Sequence, residues 1–237
     1  MNSDNILQSF KIFSNNLNNL IFDKELVVYN PIDYASESHG LYLKKYGNGQ
    51  KRILFMGMNP GPWGMVQTGI PFGAIQPVKN FLKIETTINR PILQHKKRPV
   101  DGFDCSRQEV SGSRLWSWVE NHWSNADDFF SNCFVHNYCP LAFFDTQGRN
   151  ITPEKIGLTE RLALEELCSE FLLSLVLAMN CEWVIGIGNY AELKAKKILK
   201  KTHVKVGKVL HPSPASPLAN KGWAKMATKQ MISYGLI

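Results

Sequence analysis

Three polar side chains stand just beyond, or at the end of, short apolar runs. Asn59 follows Arg52-Ile53-Leu54-Phe55-Met56-Gly57, Asn137 follows Cys133-Phe134-Val135-His136, and His211 follows residues 204–210. Imidazole is the side chain that ordinarily changes charge near neutral pH, and it can donate or accept a hydrogen bond. His211 opens His211-Pro212-Ser213-Pro214-Ala215-Ser216-Pro217, where prolines stiffen the backbone, so it suits donation to a bound ligand. A carboxamide presents a donor and an acceptor together and matches the Watson–Crick edge of a base, which gives Asn137 a reading role. Asn59 lies within the Gly- and Pro-rich stretch 57–73, where such residues fix the backbone path and let main-chain N–H groups approach a ligand closely. Each residue also has an ordinary alternative: a structural histidine, an amide capping a strand end, and a turn-forming asparagine.

Four short apolar runs read as buried strands: 52–57, 133–136, 183–188 and 204–210. Between them lie 158–180, rich in Leu, Ala and Glu, and 190–201, rich in Ala, Leu and Lys. Both are strong helix compositions. A softer amphipathic helix is expected over Leu7 to Leu20. Short strands alternating with long helices imply crossover connections, hence an α/β fold: a three-layer α/β/α sandwich around a central, mainly parallel four-stranded sheet. Ligands of such sheets bind beyond the carboxyl ends of the strands, where the three polar residues fall. Gly186-Ile187-Gly188-Asn189-Tyr190 resembles a nucleotide loop but lacks the third glycine, and reads as tight strand-to-helix packing.

The 237 residues carry Lys+Arg 27 against Asp+Glu 20, a net charge of +7, with 44% apolar residues. This is the composition of a globular protein, not of a disordered or collagenous one. No run approaches the roughly 20 apolar residues of a membrane span, and the polar start lacks the pattern of a signal peptide, so an intracellular protein is expected. The five cysteines are odd in number and irregularly spaced, without a C-x-x-C pair, so buried reduced thiols are expected and no disulfide, zinc or iron-sulfur site. Without repeats or a linker, one domain over 1–237 is expected, with 1–30 as an N-terminal helical extension. The basic excess alone is a weak pointer to a polyanion.

Taken together, the loops resemble the single-strand-selective monofunctional uracil-DNA glycosylases of the uracil-DNA glycosylase superfamily. The resemblance rests on G-M-N-P-G-P-W-G-M with T-G-I-P-F-G at 57–73, S-R-Q-E-V-S-G-S-R at 106–114, F-V-H-N-Y-C-P-L at 134–141, G-R-N-I-T-P at 148–153, and H-P-S-P with A-N-K-G-W at 211–223. Five strings in order and register cover the chain from about Asn30 to its C-terminus.

The resemblance implies hydrolysis of the N-glycosidic bond of a flipped-out uracil in single- or double-stranded DNA, leaving an abasic site, with no cofactor. It implies two catalytic residues: His211, donating to uracil O2, and Asn59, positioning water. Phe72 would stack on the base, Asn137 would read its N3–O4 edge, and Met58 would contribute backbone to the pocket. Gly61 stands where some relatives carry a ring excluding a 5-methyl group, which implies activity on 5-hydroxymethyluracil as well. Among departures, Ala215 replaces an Arg of the duplex wedge in some relatives, Ala74 a Glu, and Trp63 a Phe.

Phosphate contacts are expected from Arg149 and Asn150 after the second strand, and from Ser213, Lys221 and the helix that starts at Trp223 after His211; Pro214, Ala215 and Gly222 of the same segment are expected to bind DNA as well. The lysines of 194–208 read slightly better as a solvated surface, because they point around the helix; for the group His95-Lys96-Lys97-Arg98 solvated surface and phosphate contact both stay open. The protein is expected to act as a monomer, away from membranes, wherever the genome lies: bacterial cytoplasm or nucleoid, or eukaryotic nucleus. The competing reading is a damage-binding module without catalysis.

Overall fold

Ile53–Gly57 and Cys133–Asn137 are buried at every position, as strands covered on both faces must be. The computed structural model describes residues 3–237; Met1 and Asn2 of the expected 1–30 extension lie outside the described residues. In chain order the elements are α1 (Ser3–Asn18), β1 (Val27–Tyr29), α2 (Pro31–Tyr34), α3 (Ser36–Tyr46), β2 (Ile53–Gly57), α4 (Met65–Thr68), α5 (Ile75–Asn80), α6 (Val110–Glu120), α7 (Ala126–Asn132), β3 (Cys133–Asn137), β4 (Ala142–Phe144), β5 (Asn150–Ile151), α8 (Leu158–Ala178), β6 (Trp183–Ile187), α9 (Asn189–Ile198), β7 (Lys205–Val209), α10 (Pro217–Asn220) and α11 (Trp223–Ser233).

The four expected strands form one parallel sheet in the order β3-β2-β6-β7. On one face Phe55 meets Trp118 of α6 and Phe129 of α7. On the other, Phe134 stacks on Tyr42 of α3, and His136 meets Phe10 of α1 and Phe171 of α8. The helix expected over Leu7 to Leu20 occupies Ser3–Asn18 and buries Ile6, Phe10, Phe13 and Leu17, one stripe at helical spacing. The 158–180 helix ends at Ala178 because Asn180 turns into positive φ, the usual way of ending a helix with a small polar residue.

A second, antiparallel sheet of order β1-β4-β5 had no signal in the sequence, because its strands have only three, three and two residues. It carries the chain from β3 past the carboxyl edge of the main sheet and delivers Asn150 there. The glycines of 186–188 have the packing role expected of them: a Cβ on Gly186 would lie 2.4 Å from Glu192 N of α9, and one on Gly188 would lie 3.1 Å from the Cβ of His211. All five cysteines are buried. Among the described residues no helix is long and apolar enough to cross a membrane.

Candidate active site

Parallel strands end on the same side, so the register of the sheet decides what meets there. Gly57 pairs with Asn137, and the pairing runs on past both strand ends: Tyr138 N donates to Gly57 O and Cys139 N to Met58 O, each at 2.9 Å. This extension sets Asn59 beside Leu141, whose carbonyl accepts from Asn59 Nδ2 at 3.4 Å. Gly57 is required here by close approach. A Cβ would sit 2.2 Å from Asn137 Oδ1 and 2.7 Å from Phe72 Cε2. Asn137 is buried, and its Nδ2 lies 3.2 Å from Met65 Sδ.

Phe72 is held at φ +53, a region that costs a residue with a side chain roughly 1–3 kcal/mol. Its carbonyl compensates by accepting from Trp116 Nε1 at 3.0 Å and Ala74 N at 2.7 Å. The ring is thereby aimed toward the imidazole of His211, with ring centres 6.5 Å apart. Ser213 N donates to His211 Nδ1 at 3.1 Å, so Nδ1 is the acceptor and the neutral ring carries its proton on Nε2. Burial lowers the pKa of His211 from its ordinary value, which keeps the ring neutral at pH 7. The site therefore holds one oriented N–H donor, two carboxamides and an aromatic face.

One cavity of about 250 Å³ is lined by Met58, Asn59, Gly61, Phe72, Asn137, Asn150, His211 and Ser213, together with Pro60, Glu109, Ser111 and Thr152. A profile of the Uracil DNA glycosylase superfamily matches residues 44–231. The chain belongs to this superfamily. It is 42% identical over 213 residues to the single-strand selective monofunctional uracil DNA glycosylase of Bos taurus, covering 89% of this chain and 78% of that one. To the corresponding protein of Rattus norvegicus it is 43% identical, covering 89% and 77%. Its fold is similar to that of SMUG2 from Pedobacter heparinus, with a TM-score of 0.68 at 17% identity over 94% of this chain and 97% of that one.

The remaining residues expected at this superfamily site lie outside the cavity. Arg149 is drawn into an exposed ion pair with Asp145 at 2.6 Å. Pro214, Ala215, Lys221 and Gly222 are exposed along the segment after His211. The Trp223 ring is buried, and its Nε1 donates to Leu210 O, so what Trp223 does for the site is to anchor the residue before His211.

Two residues of the 106–114 motif have roles that sequence spacing did not reveal. Glu109 is half-buried, caps α6 by accepting from Ser111 N at 3.2 Å and Gly112 N at 2.5 Å, and lines the cavity beside Gly61. Burial raises its carboxyl pKa, while the N–H groups of Gly112 and Ser111 pull it down. Arg114 reaches across to the His211 segment, donating to Pro212 O at 3.0 Å and Asn220 Oδ1 at 2.8 Å. The available signal was that both lie inside a motif string, without any hint of what they touch.

The lysines of 194–208 are partly neutralised. Lys194 pairs with Glu165, and Lys196 and Lys208 both pair with Glu192.

Proposed function

We propose that this protein excises uracil from single- and double-stranded DNA by hydrolysing the N-glycosidic bond of a flipped-out nucleotide, leaving an abasic site for base-excision repair. The observation that carries this reading is the oriented His211: its Nδ1 accepts from Ser213 N, leaving Nε2–H to donate in the cavity shared with Asn59, Phe72 and Asn137. Breaking the bond leaves positive charge on the sugar and negative charge on the departing pyrimidine. An N–H donor to O2 stabilises that anion more than it stabilises the neutral base. Asn59 holds water by the anomeric carbon, and an amide is too weak a base for strong proton abstraction. Bond breaking therefore leads, and water adds afterwards. Phe72 stacks on the base and Asn137 pairs with its N3–O4 edge.

Gly61 supports a wider substrate range. A Cβ there would meet Glu109 only at ordinary contact distances of 3.5 Å and beyond, so the protein's own packing does not demand a glycine. The space is left for a ligand. We read it as room for a water or a polar 5-substituent, which extends the substrates to 5-hydroxymethyluracil. Thymine is rejected because its methyl group displaces that water without replacing its hydrogen bonds.

Oligonucleotides carrying uracil, 5-hydroxymethyluracil or thymine test this directly. The first two become alkali-labile with the protein and the third stays intact. His211→Ala loses about 10²- to 10³-fold in single-turnover rate, the usual cost of removing one anion-stabilising donor. Uracil DNA left intact by the wild type, but bound tightly, would establish the damage-binding module instead.

A further inference from the structure

As a string, His95-Lys96-Lys97-Arg98 does not distinguish solvated surface from phosphate contact, and the fold gives these residues a specific setting. Lys96, Lys97, Arg98, Asp101 and Arg107 border a cleft of about 490 Å³ around Trp63. The guanidinium carbons of Arg98 and Arg107 lie 5.1 and 4.8 Å from the Trp63 ring centre. Among the described residues none of these four cations is in an ion pair, and Asp101 is the one carboxylate on the rim.

The cleft is built rather than incidental. Gln67, fully buried, uses its whole amide to join two loops: Nε2 donates to Pro62 O and Pro99 O at 3.0 Å each, and Oε1 accepts from Asp101 N at 2.8 Å and Gly102 N at 3.2 Å. Tyr29 OH accepts from His95 N at 2.9 Å and donates to Arg98 O at 2.7 Å, while Arg98 Nε donates to Gly148 O at 2.7 Å. The basic segment is thus fastened beside Trp63, four residues beyond Asn59, and beside Arg107, two residues before Glu109. Concentrating like charges costs energy unless an anion joins them, and an intervening hollow lined by both Arg107 of the cleft and Glu109 of the base cavity connects the two.

Resting on the glycosylase reading, the geometry points to this cleft as the seat of the DNA strand's phosphodiester backbone to one side of the flipped nucleotide. Lys96, Lys97 and Arg107 contact successive phosphates. Trp63 keeps the guanidinium of Arg107 extended by lying under it. The contact is sequence-independent, and it serves a single strand as well as a duplex because it reads backbone and not base edges.

Anisotropy of a labelled single-stranded oligonucleotide without uracil, followed between about 50 and 200 mM salt, tests the cleft apart from catalysis. The double variant K96A/K97A lowers the slope of log K against log salt by about 0.7 for each phosphate that is no longer neutralised. R107A lowers it further, and K96R/K97R restores it. The control K200A/K201A, which removes the same charge from the exposed turn after α9, leaves the slope unchanged. An unchanged slope in K96A/K97A, an equal fall in the control, or no salt-dependent binding by the wild type overturns the proposal. Uracil excision with an unchanged slope sinks the cleft alone. A cleft-dependent slope with uracil left intact sinks the glycosylase reading alone.

Discussion

At the scale of single residues, the site depends on what is absent as much as on what is present. Gly57 has no side chain because Asn137 and Phe72 occupy the volume where a Cβ would go. We expect Gly57→Ala to push those two groups apart, costing about 1–3 kcal/mol of stability through overpacking and about 10²-fold in kcat/KM on uracil DNA through misplacement. Urea unfolding and steady-state kinetics on one preparation check both numbers; unaltered kinetics would dissociate Gly57 from the base pocket. Glu109 acts beside Gly61 in the same cavity. Its carboxylate satisfies the first turn of α6 and walls the space over Gly61. Glu109→Gln keeps the shape but weakens the cap, because an amide holds two N–H donors with one acceptor oxygen. The expected result is a changed ratio of 5-hydroxymethyluracil to uracil excision, with uracil activity reduced less, measured on matched oligonucleotides.

At the scale of elements, the segment from His211 to Asn220 is irregular except for α10 and is held by side chains from elsewhere. Arg114 on α6 donates to Pro212 O, Ser213 O and Asn220 Oδ1, Asn220 Nδ2 returns to Pro214 O at 2.8 Å, and Trp223 at the start of α11 grips Leu210. A loop secured in this way presents His211 with little freedom, which is what a hydrogen-bond donor to a developing anion requires. Arg114→Ala should therefore lower kcat by about tenfold, equivalent to roughly 1.4 kcal/mol, while changing the melting temperature by only a few degrees. Partial recovery in Arg114→Lys is expected, since lysine keeps the charge but not the fork that spans two acceptors. Equal activity in Arg114→Ala would show that the prolines alone fix the loop. The strand ends carrying Asn59, Asn137 and His211 were legible because each apolar run and its closing Gly, Pro or polar residue are local. The β1-β4-β5 sheet was not, since two or three residues hold too little pattern to be distinguished from loop.

At the scale of the whole molecule, α1 folds back over the sheet and packs against His39 and His136, both buried. Phe10 meets both rings, His39 Nδ1 bonds Gly69 O at 2.8 Å, and burial lowers the two pKa values to about 4 and about 3. Groups with depressed folded pKa values favour the unfolded state once it begins to take up protons. Stability is therefore full above the ordinary histidine pKa near 6.5 and falls as the pH drops from there towards 4, by about 1.4 kcal/mol per pH unit for each extra proton bound on unfolding. His211, also lowered by burial, adds to this fall, whereas Glu109, whose carboxyl pKa is raised, works in the opposite sense. Denaturant midpoints taken from pH 7.5 to 4.5 should show this fall, and His136→Gln should make it shallower; a pH-independent midpoint would contradict the buried neutral pair. By itself the sequence determined the parallel sheet, the helices beside it and the polar residues at the strand ends, because those follow from periodicity and punctuation within short stretches. Only the tertiary structure decided that Glu109 walls the cavity, that Arg114 clamps a loop 98 residues away, and that Arg98 and Arg107 converge on Trp63. These contacts join segments far apart in the chain, and they exist only once the buried sheet has brought the loops to one edge.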